Sequence, residues 1–146
     1  ATLLEKYELE PWMLKLEVTE SAYTDNQLQL LDMISTFKSL GFSVLMDDFG
    51  SGYSSLNMLK DMPLDTLKVD MAFIRELEKS KRVAVILKFI VELAEELGMS
   101  VVVEGVETKP QADYVASLGE VAIQGYYFSR PLPISDYEKL LDKYLT

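Results

Sequence analysis

The sequence predicts an α/β fold built on a parallel sheet, and three observations carry that prediction. Short strand-like runs alternate with stretches of helical spacing along the chain. The run Ser100-Val101-Val102-Val103 is continuously β-branched after its serine, the pattern of a strand buried on both faces. Glycines stand where helices should close, at Gly41, Gly98 and Gly119. Strand and helix in strict alternation imply parallel strands joined by right-handed crossovers.

The elements follow in order. Leu3 to Glu10 is a charged helical lead-in stopped at Pro11. Leu14-Lys15-Leu16-Glu17-Val18 alternates and reads as the first strand. Thr24-Asp25-Asn26-Gln27 has capping-box spacing, and Leu28, Leu31, Ile34, Phe37 and Leu40 then recur as one helical face. Ser43 to Met46 is the second strand, ended by the adjacent acids Asp47 and Asp48. A glycine- and serine-rich loop leads to a short helix from about Ser55 to Lys60, broken near Met62-Pro63. Thr66 to Val69 is the third strand, ending at Asp70, and Met71 to Glu78 is a short helix. Arg82 to Leu97 is a longer helix with Val83, Ile86, Ile90, Leu93 and Leu97 on one face. After the fourth strand, which ends at Glu104, Thr108-Lys109-Pro110-Gln111 forms a capping box that starts a helix to Leu118. Val121 to Gln124 is a fifth strand, and Ser135-Asp136-Tyr137-Glu138 caps the last helix. No linker, low-complexity segment or repeat divides the chain, so a single domain is expected.

Composition narrows the chemistry. The 146 residues are 49% hydrophobic and 26% charged, a soluble globular balance. Cysteine and histidine are both absent. That excludes disulfides, thiolate or imidazole metal sites, and Ser-His-Asp or Cys-His catalysis. Proton transfer is left to Asp, Glu, Lys and Tyr, and metal binding to oxygen donors that favour hard cations. A net charge of −10 argues against polymeric nucleic acid or an anionic membrane as partner. No run is long enough to span a membrane, so the expected location is cytoplasmic.

Glu17, Asp47, Asp48, Lys68, Asp70, Glu104 and Gln124 all fall at or near the carboxyl ends of expected strands. Ligands bind at that edge of parallel α/β folds. Adjacent acids such as Asp47 and Asp48 are tolerable when solvated or when a cation lies between them. A polar rim of solvated loop residues is the bland reading, and a metal-assisted site is the sharper one. Lys68, between apolar Leu67 and Val69 in a buried sheet, favours the second. Glu20 and Glu107, on their own, read as helix-start acids stabilised by the dipole.

These residues resemble the EAL domain, a bacterial cyclic di-GMP phosphodiesterase family. The resemblance rests on Leu16-Glu17-Val18-Thr19-Glu20-Ser21, Asp47-Asp48-Phe49-Gly50-Ser51-Gly52-Tyr53-Ser54-Ser55-Leu56, Leu67-Lys68-Val69-Asp70, Val103-Glu104-Gly105-Val106-Glu107-Thr108 and Gln124-Gly125-Tyr126 with Ser129-Arg130-Pro131-Leu132-Pro133. It implies a modified (β/α)8 TIM barrel, here a partial one of about five parallel strands with flanking helices and the first strands missing. It also implies two divalent cations, Mg2+ or Mn2+, and hydrolysis of cyclic di-GMP to linear pGpG.

Carried over position by position, the resemblance makes Glu17 a metal ligand. Glu20 anchors the loop after Asp48. Asp47 bridges the two cations and Asp48 binds one. Lys68 holds and polarises the attacking water. Glu104 is metal ligand or general base, Glu107 and Gln124 complete the set and orient the water, and Asp70 supports it. Pro131 lies where the family grips a guanine.

The chain also departs from the family. The Glu-Ala-Leu tripeptide that names it does not occur, nor does the strand with a further asparagine ligand, and a TIM barrel takes about 250 residues. The expectation is a single, N-terminally truncated EAL domain over residues 1–146, itself weakly active or inactive. A barrel cut open exposes sheet edges, so self-association is expected. Met71-Ala72 and Glu120-Val121 stand where the family has a charged and small polar pair and a Cys-Asp pair. Two other functions compete: a non-catalytic cyclic di-GMP receptor or interaction module, and an enolase-type metal-dependent barrel enzyme.

Overall fold

In the computed structural model, residues 2–51 and 56–145 are described. Helix α1 (Thr2–Tyr7) and a 3-10 turn (Pro11–Met13) precede strand β1 (Lys15–Thr19). Then come α2 (Glu20–Asp25), α3 (Gln27–Ser39), β2 (Ser43–Phe49), α4 (Leu56–Asp61), β3 (Thr66–Val69) and α5 (Met71–Leu77). The chain continues through α6 (Lys81–Glu96), β4 (Ser100–Val103), α7 (Lys109–Ala116), β5 (Val121–Ile123) and α8 (Ile134–Leu145). The strands form one five-stranded sheet in the order β1-β2-β3-β4-β5, and every neighbouring pair is parallel. The predicted α/β class and all five strands are therefore present.

Strand parity divides the sheet into two faces. Val44, Met46, Leu67, Val69, Val101 and Val103 share one face by register and are buried under the helices. Each such side chain contributes about 1.5–3 kcal/mol by leaving water. They meet Ile34 of α3, Ile74 of α5, Leu87, Val91 and Ala94 of α6, and Val115 of α7 in one core. The opposite face carries Glu17, Leu45, Asp47, Thr66, Lys68, Val102 and Ala122. Among the described residues the outer edges of β1 and β5 have no strand partner.

Cap and turn chemistry fixes several of the element ends. Gly41 closes α3 in the left-handed region at φ 87°. The Thr108 capping box is present: its side chain accepts from Gln111 N–H, and the Gln111 carboxamide accepts from Thr108 N–H. At the amino end of the sheet, Asp65 accepts from Lys38 and from Val44 N–H, tying α3 to β2 and β3.

Several expectations are corrected. Helix α1 ends at Tyr7, where Glu8 turns to φ 52°, not at Pro11. Thr24 lies inside α2, a helix the spacing did not suggest, and the cap of α3 is Asn26, whose side chain accepts from Gln29 N–H. Strand β2 does not end before the acids but runs through Asp47 and Asp48 to Phe49. The last helix begins at Ile134, one residue ahead of the expected Ser135 cap. Two helix faces are rotated: α3 buries Leu30 and Ile34 while Leu28 and Leu40 are exposed, and α6 buries Leu87, Ile90, Val91 and Ala94 while Ile86 and Leu97 are exposed. Both helices carry apolar residues on more than one stripe, so packing against the sheet chose the face. Gly52, Tyr53, Ser54 and Ser55, and with them the expected helix start at Ser55, lie outside the described residues. Among the described residues no helix is long and apolar enough to cross a membrane.

Candidate metal centre and adjoining pocket

The carboxyl end of the open sheet face gathers the polar candidates. Glu17, Asp47 and Lys68 project there by strand parity from β1, β2 and β3. The ladder continues one residue past β4 and β5. Glu104 N–H donates to Val69 O and Gln124 N–H to Val103 O, so both residues keep the register of that face. Asp70 N–H donates to Phe49 O, and the Asp70 carboxylate caps α5 by accepting from Ala72 N–H.

Asp48 reaches the same place by a different route. Between Met46↔Leu67 and Phe49↔Val69 the register shifts, so β2 holds one residue more than β3 across the same span. Such a bulge re-aims a side chain. Asp48 adopts φ 54°, a left-handed conformation that Asp tolerates better than most residues. As a result one carboxylate oxygen each from Asp47, Asp48 and Glu104 lie within 4.8 Å of one another.

Lys68 sits among these acids. Its Nζ donates to Asp47 Oδ1 at 2.6 Å and Glu17 Oε1 at 3.2 Å, and lies 2.9 Å from Glu104 Oε1. Its side chain is only 12% exposed, against 22% for Asp47 and 15% for Glu104, so these are substantially desolvated pairs. Burial by itself pulls the Lys68 ammonium down. The hydrogen bonds to Asp47, Glu104 and Glu17 outweigh it and hold the group above the ordinary lysine range. Partial desolvation, then the charges of Asp47, Asp70 and Glu104, push the Asp48 carboxyl above its ordinary value.

The donor set fits a hard divalent cation. It is carboxylate oxygen throughout, and Glu17, Asp47, Asp48 and Glu104 outnumber the one ammonium among them. Behind partial desolvation, that excess of negative charge adds to the upward shift of the Asp48 carboxyl.

The remaining candidates fall around this centre. Glu20 is buried at the start of α2 and its Oε2 accepts from Gly50 N–H at 3.4 Å, directly behind the Asp48 bulge. Glu107, Gln124 and Pro131 line a pocket of about 300 Å3 that opens beside Glu104. Met71, Arg75, Gly105, Gly125 and Tyr126 complete that pocket. Sequence reasoning missed Arg75. Its spacing could have found it, since Arg75 is one helical turn beyond Met71, which begins α5 at the site edge.

An EAL domain family model matches residues 1–131. The chain is 43% identical over 141 residues to the cyclic di-GMP phosphodiesterase NbdA of Pseudomonas aeruginosa, covering 97% of this chain and 18% of that protein. Among solved structures, PaMucR phosphodiesterase in complex with c-di-GMP superposes with a TM-score of 0.86 at 38% identity, over 93% of this chain and 55% of that one. The manganese and cyclic di-GMP complex of Klebsiella pneumoniae BlrP1 superposes with a TM-score of 0.82 at 34% identity, over 88% of this chain and 33% of that one. The chain belongs to the EAL domain family. It spans under a quarter of the curated relatives NbdA and PdeR of Escherichia coli, 18% and 22% of their lengths.

Proposed function

We propose that this chain supplies a wall of the active site of a cyclic di-GMP phosphodiesterase domain, which hydrolyses the cyclic dinucleotide to linear pGpG with two divalent cations, Mg2+ or Mn2+. The observation that carries the reading is the Lys68 ammonium held between Asp47 and Glu104 beside Asp48. Relatives named for this activity, and solved relatives holding the dinucleotide, support the substrate.

Hydrolysis forms a bond from a water oxygen to phosphorus and breaks one bond from phosphorus to a ribose oxygen, which leaves with a proton. Divalent cations, when bound, neutralise phosphate charge and lower the pKa of water. Glu17, Asp47, Asp48 and Glu104 would hold them. Lys68 keeps its proton in this environment, and its three N–H donors serve Asp47, Glu104 and Glu17, so it would donate to the attacking water by giving up one of these carboxylates and would leave proton acceptance to Glu104. Gln124, one residue past β5, orients the same water. Asp70 fixes the start of α5, and Glu20 holds the backbone behind Asp48. Pro131 and Glu107 line the adjoining pocket, which favours a contact of Glu107 with the nucleotide over the water-orienting part that the resemblance gives it.

The activity belongs to the whole domain, of which residues 1–146 are one part. The open edges of β1 and β5, with exposed Trp12, Met13 and Leu14 beside the first, support self-association of this segment. A cytoplasmic place follows from the nucleotide it would cleave. Chromatography of cyclic di-GMP incubated with manganese and the chain, alone or extended upstream, tests the reading. Linear dinucleotide should form, faster with the extended chain, and Asp47→Asn should abolish it. No product from the extended chain would overturn the proposal.

A further inference from the structure

The loop that carries Glu104 and Glu107 is braced from α7. Gln111 stands in the first turn of that helix and is half-buried. Its Oε1 accepts from Thr108 N–H at 3.1 Å and from Glu107 N–H at 2.9 Å. The first bond closes the capping box, and the second is an addition that the box does not need. Two N–H donors at one atom fix it as the oxygen, so the amide nitrogen turns the other way. It donates to Ile74 O of α5 at 3.5 Å. A parallel link lies beside it: Thr108 Oγ1 donates to Glu78 Oε1 at 3.2 Å, and Glu78 is the residue that ends α5. The cap of α7 is thus fastened to the last turn of α5 as well as to its own helix.

The elements joined in this way are two walls of the pocket beside Glu104. Met71 and Arg75 line it from α5, and Glu104, Gly105 and Glu107 line it from the loop. At its near end the loop has other anchors. Glu104 N–H donates to Val69 O, and Val106 N–H donates to Gln124 O. A side chain at Gly105 would collide with Met71 Cβ, so loop and α5 are in close contact there. The far end, at Glu107, is held to α5 by Gln111. We propose that Gln111 is a positioning residue for the substrate: by tying Glu107 N–H to Ile74 O it sets the spacing of loop and α5, and with it the width of the pocket. The inference rests on the phosphodiesterase reading above. It gives Gln111 a part in binding and none in the chemical step, because Glu104 reaches the metal centre through the sheet ladder and is held there by Lys68. Binding contacts tolerate only small displacements, so a brace behind the pocket wall matters.

The test is steady-state hydrolysis of cyclic di-GMP in manganese by the chain extended upstream, with thermal unfolding of each variant. Gln111→Glu keeps an acceptor for both N–H groups and so keeps the capping box, but it has no donor for Ile74 O. Its Tm should match wild type. Its KM should rise about three- to tenfold, the range that the loss of one hydrogen bond covers, with kcat and manganese affinity unchanged. Gln111→Met, neutral and of similar length, loses the box as well, so its Tm should fall and its KM should rise at least as far. An unchanged KM in Gln111→Glu would overturn the inference alone and leave Gln111 a helix cap. A KM raised in Gln111→Glu but not in Gln111→Met would also overturn it, since the added charge would then be the cause. A wild-type extended chain that forms no linear product would overturn the functional reading and this inference with it.

Discussion

Asp47 and Asp48 are neighbours in a strand, yet their carboxylates fall in the same 4.8 Å cluster with Glu104. Period-2 geometry would send them to opposite faces, and Asp48 would be driven into the helix-packed core. The extra residue between the Met46 and Phe49 pairings, together with φ 54° at Asp48, reverses that outcome. The bulge therefore makes the acidic centre, and it does so at a cost in backbone strain and charge repulsion that a cation would relieve.

Asp48→Asn should separate stability from metal binding. The Asp48 carboxyl has a raised folded value, so the metal-free fold binds its proton more tightly than the unfolded chain does. Stability is then lost as pH rises through that interval, and the penalty persists at neutral pH. Asparagine removes it. Because the side chain is exposed to screening, the gain in chelator should be under about 1 kcal/mol. Thermal unfolding with and without manganese reads both effects. The variant should be slightly more stable than wild type in chelator and should lose most of the cation-induced rise in Tm. A rise equal to that of wild type would remove Asp48 from the metal set.

Lys68→Met tests whether the ammonium stands in for a cation. Without it, Asp47 and Glu104 are left largely desolvated and uncompensated. Losing one partner of such a group costs about 3 kcal/mol. Urea unfolding in chelator should show that loss, and saturating manganese should recover much of it by neutralising the same carboxylates. Turnover of cyclic di-GMP by the extended chain should not recover, because the hydrogen bond to water is gone. Restored turnover in manganese would mean that Lys68 is structural only.

The sheet was legible because its strands are short, β-branched and separated by glycines, as at Gly41 and Gly98. The functional edge was legible because Glu17, Lys68, Glu104 and Gln124 keep one parity in parallel strands. The bulge was not. Two adjacent acids after Met46 read as a turn, and no residue pattern distinguishes a turn from a strand that carries one extra residue. Helix faces were ambiguous in α3 and α6 for a simpler reason: Leu28 and Leu30, or Ile86 and Leu87, satisfy overlapping helical stripes, and only contact with the sheet decides between them. Arg75 escaped because only the folded pocket brings it beside Glu104 and Glu107.

Glu20→Gln probes support at a distance from the metal centre. Glu20 is buried and accepts from Gly50 N–H, two residues beyond Asp48. The amide keeps the volume but weakens a charge-assisted bond, so the turn behind the bulge should relax. Outer partners of this kind typically change metal affinity by about 10-fold or more. Manganese titration should show that shift, with far-UV circular dichroism unchanged. An unaltered affinity would confine Glu20 to packing α2 against the sheet.

Gly125→Ala separates the pocket from the metal centre. A Cβ at Gly125 would lie 2.0 Å from Val106 O and 2.4 Å from Val106 N. Both are backbone atoms, so no side chain can move aside, and the segment after β5 must shift. Val106 N–H donates to Gln124 O and Tyr127 N–H to Val106 O, so the shift breaks the ladder that brings Gln124, Tyr126 and Pro131 to the pocket. The expected cost is about 1–3 kcal/mol in urea unfolding. Asp47 and Asp48 lie on β2, and Glu104, just past β4, is tied to β3 by its N–H to Val69 O, so they should keep their manganese affinity, while binding of cyclic di-GMP should fall at least tenfold in line with the loss of about 1–3 kcal/mol of base contacts. Parallel loss of manganese and nucleotide would show that the two sites are one mechanical unit rather than a metal centre with a separable base pocket.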